Sequence, residues 1–343
     1  MKMRFKLLIL ILVLGSCKST TIISEDFITN NADVVIAFGS CNKQNERNVL
    51  WQEIMKWKPD AWIWGGDIIY SDTDDMEKIW NDYQEQLNQE DYKKLQNSTK
   101  ILGTWDDHDY GLNDGGEEFI AKAESQQLFL DFMGVSKQDE RRQREGVYHS
   151  EYIKTGDGTI NIFVLDTRYF RTSLSTATDP NKRYQPNTYG QGTILGNKQW
   201  LWFKNELANS KADFNIIVSS IQILSGEHGF ETWANFPHEV DKLKDIIKNS
   251  KAKGVFIISG DRHISEFSKA NVDGLKFPLI DFTSSGLTHS YSGFTSEPNR
   301  LRVGNVVSEK SFGLLKFNFK TKTVDMQMRG TGNELQQKFL QTF

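Results

Sequence analysis

Ala61-Trp62-Ile63-Trp64-Gly65-Gly66-Asp67 is the stretch that decides the fold. A run of uncharged residues closed by a glycine pair reads as a strand buried on both faces and ended by a tight turn. A carboxylate stands where that strand stops. The pattern recurs along the chain. Val34–Gly39 runs into Ser40-Cys41, Ile101–Trp105 into Asp106-Asp107-His108-Asp109, and Ile160–Leu165 into Asp166-Thr167-Arg168. Phe214–Ser219 and Val255–Ser259 are further runs, the latter followed by Gly260-Asp261-Arg262-His263. Strands buried on both faces belong to sheets covered by helices. Helical patterning fills the gaps at 48–56, 74–89, 117–133, 197–207 and 238–249. Later strands are expected at 277–283, 313–319 and 323–328. Strands alternating with helices give an α/β architecture with parallel or mixed sheet.

Cys41, Asp67, Asp106, Asp107, His108, Asp166, Asp261 and His263 all follow the C-terminal end of an expected strand. Open α/β sheets bind ligands at that edge. One Asp after a strand is an ordinary turn former, but several metal-type ligands at one edge are harder to dismiss. Asp67 has two oxygens with which to bridge two cations, and Asp107 and Asp261 add hard donors. His263 brings imidazole, Cys41 thiolate and Tyr70 phenolate. Hard oxygens suit calcium, magnesium or manganese, whereas imidazole and thiolate suit iron or zinc. The mixture points to two metals of different character, a centre that lowers the pKa of bound water and steadies attacking and leaving oxygens. His108 need not be a ligand, since at the site edge it can protonate a leaving alkoxide. The bland alternatives are plain core packing for Cys41 and a surface-loop role for His108.

The chain has 343 residues, 38% hydrophobic and 25% charged, a balance that excludes disorder and allows a sizeable core. Its net charge of -4 gives no global basic footprint, so no specific nucleic-acid binding is expected. Lys2, Arg4 and Lys6 precede the apolar run Leu7–Leu14, which is too short to span a bilayer as a helix. This reads as an export signal, and Leu14-Gly15-Ser16-Cys17 resembles a bacterial lipobox, whose Cys is acylated and becomes the new first residue. Residues 1–17 are therefore expected to be a lipoprotein signal peptide with lipidation at Cys17, 18–32 a polar tether, and 33–343 a single catalytic domain. The expected location is the periplasmic face or cell surface of a bacterium, membrane-anchored. With Cys17 acylated, Cys41 has no disulfide partner in the chain.

Gly39-Ser40-Cys41, Gly66-Asp67-Ile68-Ile69-Tyr70, Trp105-Asp106-Asp107-His108-Asp109, Asp166-Thr167-Arg168 and Ser259-Gly260-Asp261-Arg262-His263, in that order, resemble the PhoD-type alkaline phosphatases. These are a branch of the calcineurin-like metallophosphoesterases, and the resemblance covers roughly residues 34–330. It implies a four-layer α/β/β/α sandwich of mixed sheets, with metals between the sheets at the strand C-terminal ends. It implies a ferric ion held by Cys41, Asp67, Tyr70 and His263. It implies a second site, often calcium and open to other divalent metals, using Asp67, Asp107 and Asp261. It further implies hydrolysis of phosphomonoesters or phosphodiesters by a metal-bridging hydroxide, with His108 assisting the leaving group and Arg168 contacting phosphate. Arginine suits that role because its planar fork can hold two oxygens. Tyr70 and Asp107 stand where many calcineurin-like enzymes carry Asp and Asn.

Asn113, His228 and His289 are the candidate substrate contacts. Asn113 follows the His108 motif. His228 lies in an aromatic-rich loop where a packed lid with Trp233 is the default, and His289 ends a segment where a structural hydrogen bond serves equally well. The polar stretch 171–196 is long for a loop, and such loops are often functional. The expected partners are a phosphate-ester substrate (small molecule, nucleotide or lipid headgroup) and the membrane, through the anchor. The alternative function is a non-catalytic surface lipoprotein binding a phosphorylated ligand. A serine hydrolase ranks low for want of a Gly-x-Ser-x-Gly elbow.

Overall fold

Val34, Ile36 and Phe38 leave β1 (Val34–Gly39) toward one core, Val35 and Ala37 toward another, and all five are buried. That period-two split is the plan of the molecule. The computed structural model describes residues 32–343, which form one compact unit. The expected signal peptide, Cys17 and the tether up to residue 31 lie outside the described residues.

After β1 come α1 (Leu50–Lys56), β2 (Ala61–Gly65), α2 (Met76–Asn88), α3 (Glu90–Ser98), β3 (Lys100–Thr104), α4 (Asp107–Tyr110) and α5 (Lys122–Phe132). The chain continues through β4 (His149–Lys154), β5 (Thr159–Val164), β6 (Ser175–Thr176), β7 (Tyr184–Gln185), α6 (Gly196–Asn209), β8 (Phe214–Val218) and α7 (Pro237–Ser250). It closes with β9 (Val255–Ser259), β10 (Ser265–Ala270), β11 (Leu279–Ser284), β12 (Arg302–Val307), β13 (Phe312–Asn318), β14 (Thr323–Arg329) and β15 (Leu335–Thr342).

Two large mixed sheets result, with strand orders β15-β14-β13-β1-β2-β3 and β12-β10-β11-β9-β8-β5-β4. Strands β1, β2 and β3 are parallel to one another, as are β5, β8, β9 and β11. The sheets meet over one core that includes Ile36, Phe38, Ile63 and Leu315 from the first and Ile162, Ile216, Ile258 and Phe282 from the second. Behind the first sheet, Trp62 and Trp64 pack on Trp51 of α1, Tyr83 of α2 and Tyr92 of α3. Behind the second, Ile217 and Ile257 pack on Phe203 of α6 and Leu243 of α7. The architecture is thus α/β/β/α in four layers, with two helical covers on two buried sheets.

Several elements depart from the expectation. The helix expected over 74–89 is followed by a separate α3, because Gln89 is extended (ψ 122°) and breaks the run. The helix expected from 117 begins at Lys122, after turns that follow the Gly115-Gly116 pair. Strands β10, β12 and β15 are polar or half-exposed in sequence, so no apolar run announces them. The long stretch 171–196 carries the small β6–β7 pair. Among the described residues no helix is long and apolar enough to cross a membrane.

Candidate metal centre

The strand ends are bent by unusual backbone. Cys41 (φ 60°) follows β1, Asp67 (φ 51°) follows β2, and Asp261 (φ 69°) and His263 (φ 54°) follow β9. Residues with a Cβ rarely adopt such angles, and strain of this kind collects at functional sites. At Gly66 (φ 92°) a Cβ would fall 2.4 Å from Asp106 Cβ, so only glycine lets the ends of β2 and β3 meet.

The donor atoms converge. Cys41 Sγ lies 3.3 Å from Asp67 Oδ2. The Tyr70 hydroxyl donates to Asp67 Oδ2 at 3.1 Å and stands 3.1 Å from His263 Nε2. Ser285 Oγ accepts the His263 N–H at 2.6 Å and is 3.1 Å from Cys41 Sγ, tying the two sheets together. Three groups each bring ligand atoms within 4.8 Å of one another: Cys41-Asp67-His263, Asp67-Asp107-His108 and Asp106-Asp107-Asp261. Asp67 and Asp107 are each shared by two groups, so the clusters are fused.

The residues fit cations. Asp67 is buried and its Oδ1 has no hydrogen-bond partner, as has Asp106 Oδ2. Burial pushes the Cys41 thiol up to about 11 and the Asp261 carboxyl up to about 7, and holds Asp67 well above the usual carboxylate range. Buried acids crowded together resist ionisation unless positive charge is supplied. Carboxylates, a thiol, a phenol and an imidazole together make a donor set that suits cations.

His108 stands at the rim, its side chain 19% exposed. Its Nδ1 meets Asp72 Oδ1 and Oδ2 at 2.8 and 2.9 Å. The Tyr70 ring lies against its own, with centroids 4.1 Å apart. Burial opposes its charge, but Asp67, Asp72 and Asp107 outweigh burial and push His108 up to about 11.

Arg168 sits deeper than a phosphate contact expected from sequence. It is fully buried, with Nε on Asp106 Oδ1 (2.5 Å) and Nη1 on Glu231 Oε2 (2.7 Å). Arg171 adds a second ion pair to Glu231 (2.9 Å). Two nitrogens of Arg168 are thus committed to buried acids, and only Nη2 lacks a partner.

Of the candidate substrate contacts, His289 comes to the centre, its ring 4.5 Å from His263 and 5.1 Å from Tyr70. Asn113 is exposed on the turn after α4, and its neighbour Asp114 instead donates its N–H to Asp107 Oδ2 at 2.7 Å. His228 is buried, accepts the Phe230 N–H at Nδ1 (3.1 Å) and stacks on that ring. Sequence reasoning passed over Asp72, Glu231 and Ser285. Asp72 had one available signal, its place two residues beyond Tyr70.

The comparisons with known proteins fall on this framework. The family model described as PhoD-like phosphatase matches residues 36–338. Alkaline phosphatase D of Bacillus subtilis (strain 168) is 27% identical over 141 residues, covering 36% of this chain and 24% of that protein. The chain therefore matches about a quarter of that relative's length. The solved structure of PhoD superposes with a TM-score of 0.68 at 18% identity, over 91% of this chain and 69% of the other. GAP50, the anchor in the inner membrane complex of Plasmodium, superposes with a TM-score of 0.56 at 12% identity, over 90% of this chain and 89% of the other. At those identities the two structures show the shared fold. The match across nearly the whole described region places the chain in a family: it belongs to the PhoD-like phosphatases.

Proposed function

We propose that the chain is a metal-dependent phosphoesterase, exported and anchored to the membrane through an acylated Cys17. The observation that carries the catalytic reading is the pair of shared carboxylates, Asp67 and Asp107, joining three donor groups beside His108. Cys41, Asp67, Tyr70 and His263 would hold a ferric ion. Asp67, Asp107 and Asp261 would hold a second cation, with calcium the leading candidate. When bound, such a pair lowers the pKa of coordinated water and offsets phosphate charge.

The chain's own groups do the rest. His108 keeps a proton at Nε2 and delivers it to the departing ester oxygen. Asp72, bonded to Nδ1, fixes the ring and its tautomer. Arg168 holds Asp106 in place, and Nη2 alone remains to reach a phosphate oxygen. Both phosphomonoesters and phosphodiesters fit this chemistry.

The test is the visible spectrum and metal content of residues 18–343 loaded with iron and calcium. Phenolate or thiolate on ferric iron gives a coloured charge-transfer band, which Cys41→Ser and Tyr70→Phe should each shift or abolish. Folded protein that takes up no transition metal would overturn the ligand assignment and favour the non-catalytic binding lipoprotein. A second outcome concerns the acid. Asp72→Asn should slow kcat about tenfold on esters with poor leaving groups, and hardly at all on p-nitrophenyl esters, which need no proton. Equal losses on both would show that Asp72 has no part in protonation.

A further inference from the structure

A second cleft opens at the opposite edge of the sheets, where β8 and β9 begin. It holds about 580 Å3. Phe214, Phe277 and Phe343 give it an apolar wall, with Phe343 packed 5.8 Å from Phe214 and 5.7 Å from Phe277. Its rim carries Lys248, Lys251, Lys253, Lys276 and Lys322, all exposed. The one side-chain carboxylate in the lining, Asp213, accepts the Thr159 N–H at 3.0 Å. None of the five lysines forms an ion pair among the described residues. Five cations against one side-chain carboxylate are gathered here in a chain whose net charge is -4. Like charges repel, and their gathering suits an anionic surface laid against them.

The chain enters the fold at this same edge. The Asp33 N–H donates to Phe317 O at 2.8 Å, and its Oδ2 accepts the Phe319 N–H at 2.7 Å. Both rings lie against Phe214, at 5.3 and 5.6 Å between centroids. Residues 18–32 separate this point from Cys17. That length spans at most about 50 Å when fully extended, and roughly 20 Å as a relaxed coil.

We propose that the lysine-rimmed cleft is a docking surface for an anionic bilayer, which seats the protein with its metal centre turned away from the membrane. The proposal rests on the anchored-phosphoesterase reading for its biological setting. The ammonium groups meet lipid phosphates. Phe277, 38% exposed, and Phe343 sit at headgroup level, where aromatic rings are favoured. The metal centre then faces water, so the substrates are soluble phosphoesters rather than headgroups of the supporting bilayer.

The test uses residues 18–343, which retain all three hydrophobic cores and carry no lipid. Flotation is measured with vesicles of phosphatidylcholine, alone or mixed with phosphatidylglycerol. Binding is expected only with phosphatidylglycerol and should weaken as salt is added. At about fivefold per lysine, K248Q/K251Q/K253Q should bind on the order of a hundredfold more weakly. Turnover of a soluble ester and the Tm should be unchanged, which excludes misfolding. Equal binding to neutral vesicles, no binding, or indifference to the substitutions would each overturn the proposal. So would capture by soluble polyphosphate without capture by vesicles. Acylation is read separately, from the mass of the N-terminal peptide of exported protein. An unmodified Cys17 would sink the anchor, while the vesicle result decides the docking surface either way.

Discussion

Asp67→Asn is expected to lower kcat/KM by at least about a thousandfold, near 4 kcal/mol of transition-state stabilisation, and yet to leave the metal-free protein as stable as its parent or more so. The two halves of that result have one cause. Asp67 is the carboxylate common to the Cys41-His263 group and the Asp107-His108 group. Replacing one oxygen by an amide nitrogen removes its capacity to bridge two cations. The same oxygen is a liability when no cation is bound, because the carboxylate is buried with an unpartnered Oδ1. Burial, with Cys41 next in effect, already holds its pKa well above the usual range. A neutral amide of the same shape removes that conflict. Metal content, turnover and urea unfolding of the metal-free protein measure the three quantities. Turnover within about tenfold of the parent would show that Asp67 is not the shared ligand.

Arg168→Met should be destabilising by about 3–5 kcal/mol, the range for breaking a buried ion pair by removing one partner. Arg168 is fully buried between Asp106 and Glu231. Without it Asp106 has no cation beside it, and Glu231 keeps only Arg171. Burial already raises both carboxyl groups, and Arg168 is the first force pulling them down. In the variant their pKa values climb further above those of the unfolded chain. The folded state then binds more protons than the unfolded state, so stability rises as pH falls from neutral. The deficit against the parent should therefore shrink in mild acid. Asp106→Asn in the same chain should recover part of the loss, a coupling that a double-mutant cycle reads directly. A deficit that is independent of pH and strictly additive would mean that lost packing, rather than uncompensated charge, is responsible.

The parts of the fold legible in sequence were those with double-faced burial. Strands β1, β2, β8 and β9 are buried, mostly apolar runs whose bounds fall within a residue of the expectation. Strand β10 escaped notice because its buried residues are mostly polar: Glu266 pairs with Arg302 and accepts from Gln222 and Asn299, partners remote in sequence. The same distinction divides the centre. Cys41, Asp67, Asp107, Asp261 and His263 follow strand ends, a placement legible in the sequence. Asp72, Glu231 and Ser285 take their roles from partners 36, 63 and 244 residues away, to His108, Arg168 and Cys41 respectively. No local pattern announces such pairings. Arg168 shows the converse: its residue type suggested a ligand contact, but burial between two acids gives most of its hydrogen-bonding capacity to the scaffold.

The left-handed residues at the strand ends bear on how the centre fills. Cys41, Asp67, Asp261 and His263 owe their directions to backbone angles held by the ends of β1, β2 and β9. The sheet framework itself, rather than loose loops, sets the directions of these groups. Ligands held by such a framework would bind a cation without the entropy cost of gathering loose groups. Discrimination among ions would then fall to donor chemistry and to the spacing of the sheets.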